Sequence, residues 1–275
     1  MRFATLTKIP PSAELRIHRC RYLSLPLKGR EMDWFKDLYD DFRMRTGFGS
    51  IPEEQTKREV DFICDVLGLC EGSKVLDLFC GTGRHSIELA KRGYITVGIE
   101  YNPDYFRIAR ESTPKALVEP SFIQGDVRHV NFGKDFDAVI VMYQSFGYFE
   151  DSEDKSILQK IYLSLKPGGR FLIEILNRDY ILRNFSSRDE KELMGIKVIE
   201  NRDFDVLKSC VNSKLTRYEK DGIVVKNMSW RLYSAHEMKN ILEDIGLKFV
   251  AGYSSLNKEP LTLDTRLMRL IFKKD

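Results

Sequence analysis

Apolar and polar positions along the chain predict strands and helices that follow one another. An apolar run from Val75 to Phe79 ends in Gly81-Thr82-Gly83, and a helical pattern begins at Arg84. Further strand-like runs lie at 96–99, 122–123, 136–142 and 170–176. Strands that alternate with helices are typical of a parallel sheet with helices on both faces. The pattern therefore predicts an α/β domain.

Local signals mark where several of the helices begin. Aromatic and apolar residues at helical spacing predict a helix over 33–42, "DWFKDLYDDF". Ser50 with Glu53 three residues later, and the same pattern opening at Ser234, read as capping boxes. Asn102 before a proline predicts an N-cap followed by the first helical residue.

The alternation stops between residues 177 and 233. Strand-like runs near 196–204, 209–218 and 223–232 follow one another without a helical pattern, and the last two are joined by the turn "KDG". This predicts an antiparallel cap over 177–233, inserted into the α/β domain. Beyond it we expect a helix to about 245 and two closing strands, 247–253 and 267–272.

Charge is distributed unevenly over the 275 residues. Residues 1–30 carry a net charge of +6, whereas the remainder carries −3. We expect 1–30 to be a poorly packed basic extension, and 31–176 with 234–275 to form the main domain. A slightly acidic body lacks the broad basic field of a nucleic-acid binder.

The five cysteines are odd in number and none has CxxC spacing, which disfavours a disulfide framework and predicts a cytoplasmic protein. There is no HExxH motif and no Cys/His ligand spacing, so no metal site is predicted. No apolar run approaches the roughly 20 residues needed to cross a bilayer, and no membrane association is expected.

Acidic residues follow the first three predicted strands. They are Asp77, Glu100 and Asp126, and the carboxyl ends of such strands are where α/β sheets bind ligands. A dinucleotide would need a third glycine at position 86, which is Ser86, and Asp77 would repel its pyrophosphate. The acids therefore disfavour NAD and nucleoside triphosphates, which the glycine turn alone would accommodate.

S-adenosylmethionine carries no phosphate and matches each acid. Asp77 suits its cationic ammonium group, directly or through water. Glu100 suits the two ribose hydroxyls, and Asp126 suits the adenine amino group. The Val127 amide can donate to a ring nitrogen. The sequence therefore predicts this cofactor.

The remaining predicted cofactor contacts lie beside these acids. The loop Gly81, Thr82 and Gly83 lets the backbone approach the ligand closely. Tyr101 follows Glu100 directly. Tyr143 follows the fourth strand and either stacks against adenine or fills the strand end.

Five motifs occur in the order and spacing of a known family. They are "VLDLFCGTG", "VGIEYNPDYFRIAR", "FIQGDV", "DAVIVMYQSFGYF" and "LKPGGRFLIEI". In these motifs the chain resembles the class I S-adenosylmethionine-dependent methyltransferases. The resemblance implies a Rossmann-like, doubly wound sheet of seven strands, mostly parallel with a closing antiparallel hairpin.

Other segments narrow the resemblance. "CGTGRHS", "SFGYF" and "RLYSAHEM" are similar to bacterial and archaeal small-molecule methyltransferases, especially sugar N-methyltransferases. Those enzymes insert an antiparallel cap and cover the cofactor with an N-terminal aromatic helix. The resemblance implies that Tyr39 covers the methionine end of the cofactor.

Candidate catalytic residues are fewer, because methyl transfer mainly needs a dry, aligned pocket. Tyr148 either handles a proton or serves as a core or lid aromatic. His85 either orients substrate or is a polar residue of a helix's first turn. Glu174, in "FLIEI", is a carboxylate on a buried strand and therefore a further pocket candidate.

Three functions remain open at this point. The first is methyl transfer to an N or O atom of a small molecule, with the cap as substrate lid, dimer interface or both. The second is RNA methylation that uses the basic extension as an arm. The third is cofactor binding without turnover. A homodimer would pair through the exposed cap.

Overall fold

The computed structural model describes residues 34–113 and 118–275. The predicted basic extension, residues 1–30, lies outside the described residues. The helices are α1 Trp34–Leu38, α2 Asp41–Thr46, α3 Glu53–Leu67, α4 Arg84–Lys91, α5 Pro103–Glu111, α6 Asp151–Ser164, α7 Arg178–Arg183 and α8 Ala235–Ile245. The strands are β1 Lys74–Leu78, β2 Ile95–Glu100, β3 Ser121–Gln124, β4 Phe136–Val141, β5 Leu165–Leu176, β6 Arg188–Leu193, β7 Ile196–Asp205, β8 Cys210–Glu219, β9 Gly222–Arg231, β10 Leu247–Tyr253 and β11 Leu267–Lys274.

Seven strands form one sheet in the order β10-β11-β5-β4-β1-β2-β3. The strands β3, β2, β1, β4 and β5 are parallel, and β11 and β10 close the sheet antiparallel. The direction in which successive strands are added to the sheet reverses at β1, which has β2 on one side and β4 on the other. Such a reversal leaves a crevice beyond the carboxyl ends of these strands. The predicted fold class is confirmed.

Buried apolar side chains cover both faces of this sheet. On one face they pack with α6 and α8, and on the other they pack with α3 and α4. This arrangement explains why the parallel strands read as continuous apolar runs. Among the described helices, none has the length and apolar composition needed to cross a bilayer.

The motif "KPGG", residues 166–169, lies within the bounds of β5, where the pairing with β4 is irregular. Phe136 pairs with Leu165, but the next pair is Ala138 with Arg170. One residue of β4, Asp137, therefore lies opposite four residues of β5, so 166–169 loop out of the ladder. Gly168 has a φ of 79° in this loop, a value that favours glycine.

Two of the predicted helix starts are confirmed and one is wrong. The Asn102 side chain accepts from the backbone of Asp104 and Tyr105, and that of Ser234 accepts from Glu237. No capping box forms at Ser50, because its hydroxyl donates instead to the Gly47 carbonyl. Pro52 is the N-cap of α3, without a side-chain hydrogen bond.

The predicted helix over 33–42 is broken into α1 and α2. Asp40 has an extended backbone, with φ −89° and ψ 177°, and its carboxylate accepts from the Arg43 N–H at 2.9 Å. A residue in this conformation caps a new helix rather than continuing the old one. The aromatic spacing identified the helical segment but not this internal cap.

The cap is a separate antiparallel sheet of four strands, in the order β6-β7-β8-β9. The three predicted strand runs correspond to β7, β8 and β9. The sequence reasoning missed α7 and β6, which precede them. The β6 sequence, "RDEKEL", has no apolar alternation and forms the edge of the sheet.

A charged edge strand disfavours strand-to-strand pairing with a second copy. The other face of the cap exposes Ile223 and Val225, with 65% and 45% of their surface accessible. Dimerisation through the cap stays a prediction.

Candidate active site

A cavity of about 630 Å³ lies beyond the carboxyl ends of the parallel strands. Its floor is formed by the loops after β1, β2 and β4, and α1 and the cap cover it. The sequence-predicted site residues that line it are Tyr39, Asp77, Gly81, Thr82, His85, Glu100, Tyr101, Asp126, Val127, Tyr143 and Tyr148. Residues far apart in the sequence are thus brought to one chamber.

Gly83, unlike the other predicted cofactor contacts, does not line this cavity. It has a φ of 76°, and a Cβ built there would lie 2.7 Å from the Phe122 ring. A side chain at this position would collide with that ring. The structure therefore explains Gly83 by packing between α4 and β3, whereas Gly81 lines the cavity.

Asp77 is buried at the end of β1, with 1% of its surface exposed. The Ser86 hydroxyl donates to its Oδ2 at 2.7 Å. Burial raises the pKa of Asp77, although His85 and Ser86 partly oppose this effect. A cationic ligand stabilises the ionised form of a buried carboxylate whose pKa is raised in this way.

Glu100 connects the loops that follow β1 and β2. Its carboxylate accepts from the Gly81 N–H at 2.8 Å and from the Asn102 N–H at 2.7 Å. Burial raises the pKa of Glu100 despite these donors. The next residue, Tyr101, packs its ring edge-on to Phe35 of α1, with centroids 5.5 Å apart. Glu100 therefore shapes the floor as well as lining it.

Asp126 differs from these two acids because an arginine already engages it. Arg128 donates through its Nε and Nη2 atoms, the latter at 2.7 Å from Oδ2. Although burial alone would raise the pKa of Asp126, Arg128 lowers it. A ligand amino group would share this carboxylate with Arg128. The adenine assignment of Asp126 and Val127 stays a prediction.

His85 is part of an ionic cluster that sequence reasoning missed. Glu59 of α3 accepts from the Arg84 guanidinium, and its Oε2 lies 2.8 Å from His85 Nε2. Burial would raise the pKa of Glu59, but His85 and Arg84 together lower it to about 2. The sequence does carry a signal for Glu59, because this charged residue lies on the buried face of α3 with Val60 and Ile63.

Tyr143 lies next to this cluster, with the Arg84 guanidinium 5.1 Å from its ring centroid. The ring is 40% exposed and lines the cavity, which leaves it available to stack on a planar ligand. Both Tyr143 and the following Gln144 have positive φ values, 60° and 62°.

The hydroxyls of Tyr39 and Tyr148 lie 2.6 Å apart in the cavity wall. The Tyr148 hydroxyl also donates to the Gln144 carbonyl at 3.1 Å. Burial raises the pKa of both phenols above the usual value. Both groups are therefore neutral at physiological pH and can orient a ligand by hydrogen bonding.

Replacing Tyr148 by phenylalanine should lower kcat about 2- to 10-fold, the effect of losing one orienting hydrogen bond. The midpoint of the rate–pH profile should not move, because a raised pKa keeps the phenol protonated throughout pH 6–9. Initial rates over that range measure both quantities. Tyr94→Phe, outside the cavity, is the matched control. A displaced midpoint in Tyr148→Phe would mean that Tyr148 titrates during turnover.

The inner face of the cap completes the cavity with side chains that the sequence did not single out. Glu200 and Arg202 form an ion pair on β7, and Arg202 lies 3.5 Å from Asp189 of β6. The Ser213 hydroxyl donates to Glu200 at 2.6 Å. Trp230 of β9 contributes an indole to the same wall. Alternation along β7 places Glu200 and Arg202 on the face of buried Val198, a signal visible once the strand is known.

Comparison with known proteins agrees with this geometry. Residues 75–169 match the family model described as a methyltransferase domain. A dTDP-3-amino-3,4,6-trideoxy-α-D-glucopyranose N,N-dimethyltransferase of Streptomyces venezuelae is 34% identical over 141 residues, covering 50% of this chain and 55% of that protein. Glycine N-methyltransferase of Mus musculus is 27% identical over 183 residues, covering 60% and 61%. The chain thus spans between half and two thirds of these relatives.

The fold also matches solved structures. The CcbJ methyltransferase of Streptomyces caelestis superposes with a TM-score of 0.71 at 18% identity, covering 82% of this chain and 94% of that one. Residues 75–169 therefore belong to a methyltransferase domain. More particularly, the chain carries an S-adenosylmethionine-dependent methyltransferase domain.

The cavity residues fit this cofactor. Asp77 and Glu100 are buried carboxylates with raised pKa values, and both would be stabilised by a ligand that brings positive charge and hydroxyl donors. Among the described residues, no group of three or more His, Cys, Asp or Glu side chains is placed to hold a metal ion.

Proposed function

We propose that the protein methylates an amine nitrogen of a small, hydroxyl-rich molecule of the amino-sugar class. The observation that carries this proposal is the continuity of the cavity. It extends from the acids at the strand ends to the inner face of the cap, where Asp189, Glu200 and Arg202 lie with Trp230.

This part of the wall suits a sugar. Carboxylate and guanidinium groups accept and donate hydrogen bonds to neighbouring hydroxyls, and an indole offers a flat apolar surface to the C–H groups of the ring. Glu200 is only 8% exposed and is fixed by Arg202 and Ser213, so its orientation is set before a ligand binds. The relative from Streptomyces venezuelae, by its name, acts on an amino sugar, which supports this class.

The residues of the chain would align the reactants and exclude water. S-adenosylmethionine, when bound, would supply an electrophilic methyl carbon: the amine lone pair attacks it in line, the carbon–sulfur bond breaks, S-adenosylhomocysteine leaves, and the methylated ammonium loses its extra proton to solvent. Asp77 and Glu100 would hold the cofactor's cationic and ribose groups. Trp34, Phe35 and Leu38 of α1 are buried above the cavity and keep it dry. The neutral hydroxyls of Tyr148 and Tyr39 would orient the amine, which must arrive unprotonated.

RNA is disfavoured as the acceptor by charge. The net charge of −3 outside residues 1–30 gives no field that would attract a polyanion. Among the described residues the thiols of Cys64, Cys70 and Cys80 form no disulfide, which supports the proposed cytoplasmic location, where such groups stay reduced.

The test uses the full chain and methyl-labelled S-adenosylmethionine. We expect label to enter a 3-amino sugar or its nucleotide-linked form, and to enter it faster than glycine.

Trp230→Ala should raise KM for the sugar at least fivefold and leave cofactor affinity unchanged. The exposed Tyr218→Ala, on the other face of the cap, is the control. Label in tRNA or rRNA but not in any small amine would replace this proposal with RNA methylation. Cofactor binding without any transfer would favour a non-catalytic role.

A further inference from the structure

The turn after β4 holds two successive residues in a backbone conformation that side chains disfavour. Tyr143 and Gln144 have φ values of 60° and 62°, and neither is glycine. A backbone held in this conformation is strained, and it persists only where the surroundings fix it. Both line the cavity.

One residue of the neighbouring strand fixes this turn through two hydrogen bonds. The Tyr143 N–H donates to the side-chain Oε1 of Glu174 at 3.1 Å. The Gln144 N–H donates to the main-chain carbonyl of Glu174, also at 3.1 Å. Glu174 is 4% exposed and lies behind the cavity wall, so it is not the pocket residue that its sequence suggested.

Glu174 is oriented in turn by Arg269, its direct cross-strand partner on β11. Arg269 Nη2 lies 2.7 Å from Glu174 Oε2, and Arg269 Nη1 donates to the Ser254 carbonyl at 2.9 Å. Glu174 is thus held by Arg269 and the Tyr143 N–H, and Arg269 is held by Glu174 and the Ser254 carbonyl, before any ligand binds.

Stability does not account for this ion pair. The cross-strand pair two residues along, Leu172 with Ile271, is fully apolar. The Arg269 Nε atom is buried without an acceptor among the described residues. A buried ion pair is often no more stabilising than apolar residues of similar size, and an unsatisfied donor adds a penalty.

The turn also contacts the pair of tyrosine hydroxyls in the cavity wall. The Gln144 carbonyl accepts from the Tyr148 hydroxyl, which lies 2.6 Å from that of Tyr39. We propose that Glu174 and Arg269 are positioning residues, which hold the 143–144 turn so that the tyrosine hydroxyls orient the acceptor amine. This inference rests on the proposed methyl transfer.

The first test measures the turn without reference to activity. Glu174→Ala should speed amide hydrogen exchange at Tyr143 at least tenfold, because its N–H loses the side-chain acceptor. Exchange at Gln144 should speed less, because its acceptor is the main-chain carbonyl of residue 174, which the variant keeps. Glu174→Gln keeps an oxygen for the Tyr143 N–H and should exchange within threefold of the wild type. Adding Gln144→Gly should raise Tm in the wild type, since glycine adopts a positive φ without strain. It should raise Tm less in Glu174→Ala, where the released turn can already relax.

The second test measures turnover against the acceptor that the wild type methylates. Glu174→Ala should lower kcat at least tenfold while the Kd for S-adenosylmethionine changes less than threefold, and Glu174→Gln should recover most of kcat. Arg269→Met should also lower kcat.

Faster amide exchange in Glu174→Ala with an unchanged kcat would overturn the positioning role. Unchanged exchange would overturn the anchoring itself. Failure of the wild type to methylate any acceptor would refute the proposed function instead, and the exchange result would stand apart from it.

Discussion

Glu100→Ala should weaken S-adenosylmethionine binding by about 1.5–3 kcal/mol, the effect of losing charged hydrogen bonds. This corresponds to a Kd raised about 10- to 150-fold. Two losses combine, because the predicted ribose acceptor disappears and the N–H groups of Gly81 and Asn102 lose their partner. Isothermal titration calorimetry at neutral pH measures the change.

Two controls separate these losses. Glu100→Gln retains one acceptor oxygen, so it should fall between the wild type and the alanine variant. Asp104→Asn, an exposed carboxyl on the next helix, should leave Kd unchanged. Because burial raises the pKa of Glu100, affinity should also decline as the pH falls towards that pKa and the carboxylate is protonated. An unchanged Kd in Glu100→Ala would refute the ribose assignment.

The strand-end part of the site was predictable because it depends on local sequence. Asp77, Glu100 and Asp126 each lie at or just beyond the carboxyl end of a strand, and parallel strands bring these ends to one edge whatever lies between them. The identity of each acid's partner was not predictable. Arg128 engages Asp126 from two residues away, whereas Asp77 accepts a hydrogen bond from the Ser86 hydroxyl.

The residues that sequence reasoning missed lie where contacts cross between elements. Glu59 reaches Arg84 and His85 from α3, and Arg269 meets Glu174 only because β11 runs antiparallel beside β5. Likewise, β6 has no apolar face of its own, since it is a charged edge strand whose register is set by β7. Periodicity detects burial on one element, but it carries no information about the side chain opposite.

Polar contacts of Asp37 and Asp40 with strands β8 and β9, called the latch below, join the cap to the segment that covers the cavity. Arg217 of β8 donates through Nη1 and Nη2 to the Asp40 carboxylate, at 3.2 and 2.7 Å. Lys226 of β9 donates to the Asp37 carbonyl at 2.7 Å. Since α1 carries Trp34, Phe35 and Leu38 over the cavity, these contacts hold the cover in place.

Asp40→Ala should lower the free energy of unfolding by about 2–3 kcal/mol. Removing one partner of a fully buried ion pair costs about 3–5 kcal/mol, and Asp40 is 28% exposed, which reduces the effect. Asp40→Asn keeps an oxygen for the Arg43 N–H at the start of α2 and should recover about 1 kcal/mol. Urea unfolding at neutral pH measures these differences.

The same variants test whether the latch matters for function. Burial would raise the pKa of Asp40, but Arg217 and the Arg43 N–H lower it. Its stabilising effect is therefore complete above the unfolded pKa of about 3.9 and is lost as the pH falls through the lower folded value. The stability difference between wild type and Asp40→Asn should shrink over that acidic range.

At neutral pH, a loosened α1 should raise the acceptor KM of Asp40→Ala more than that of Asp40→Asn. Equal stability and equal KM in all three proteins would show that α1 is held by its aromatic packing alone.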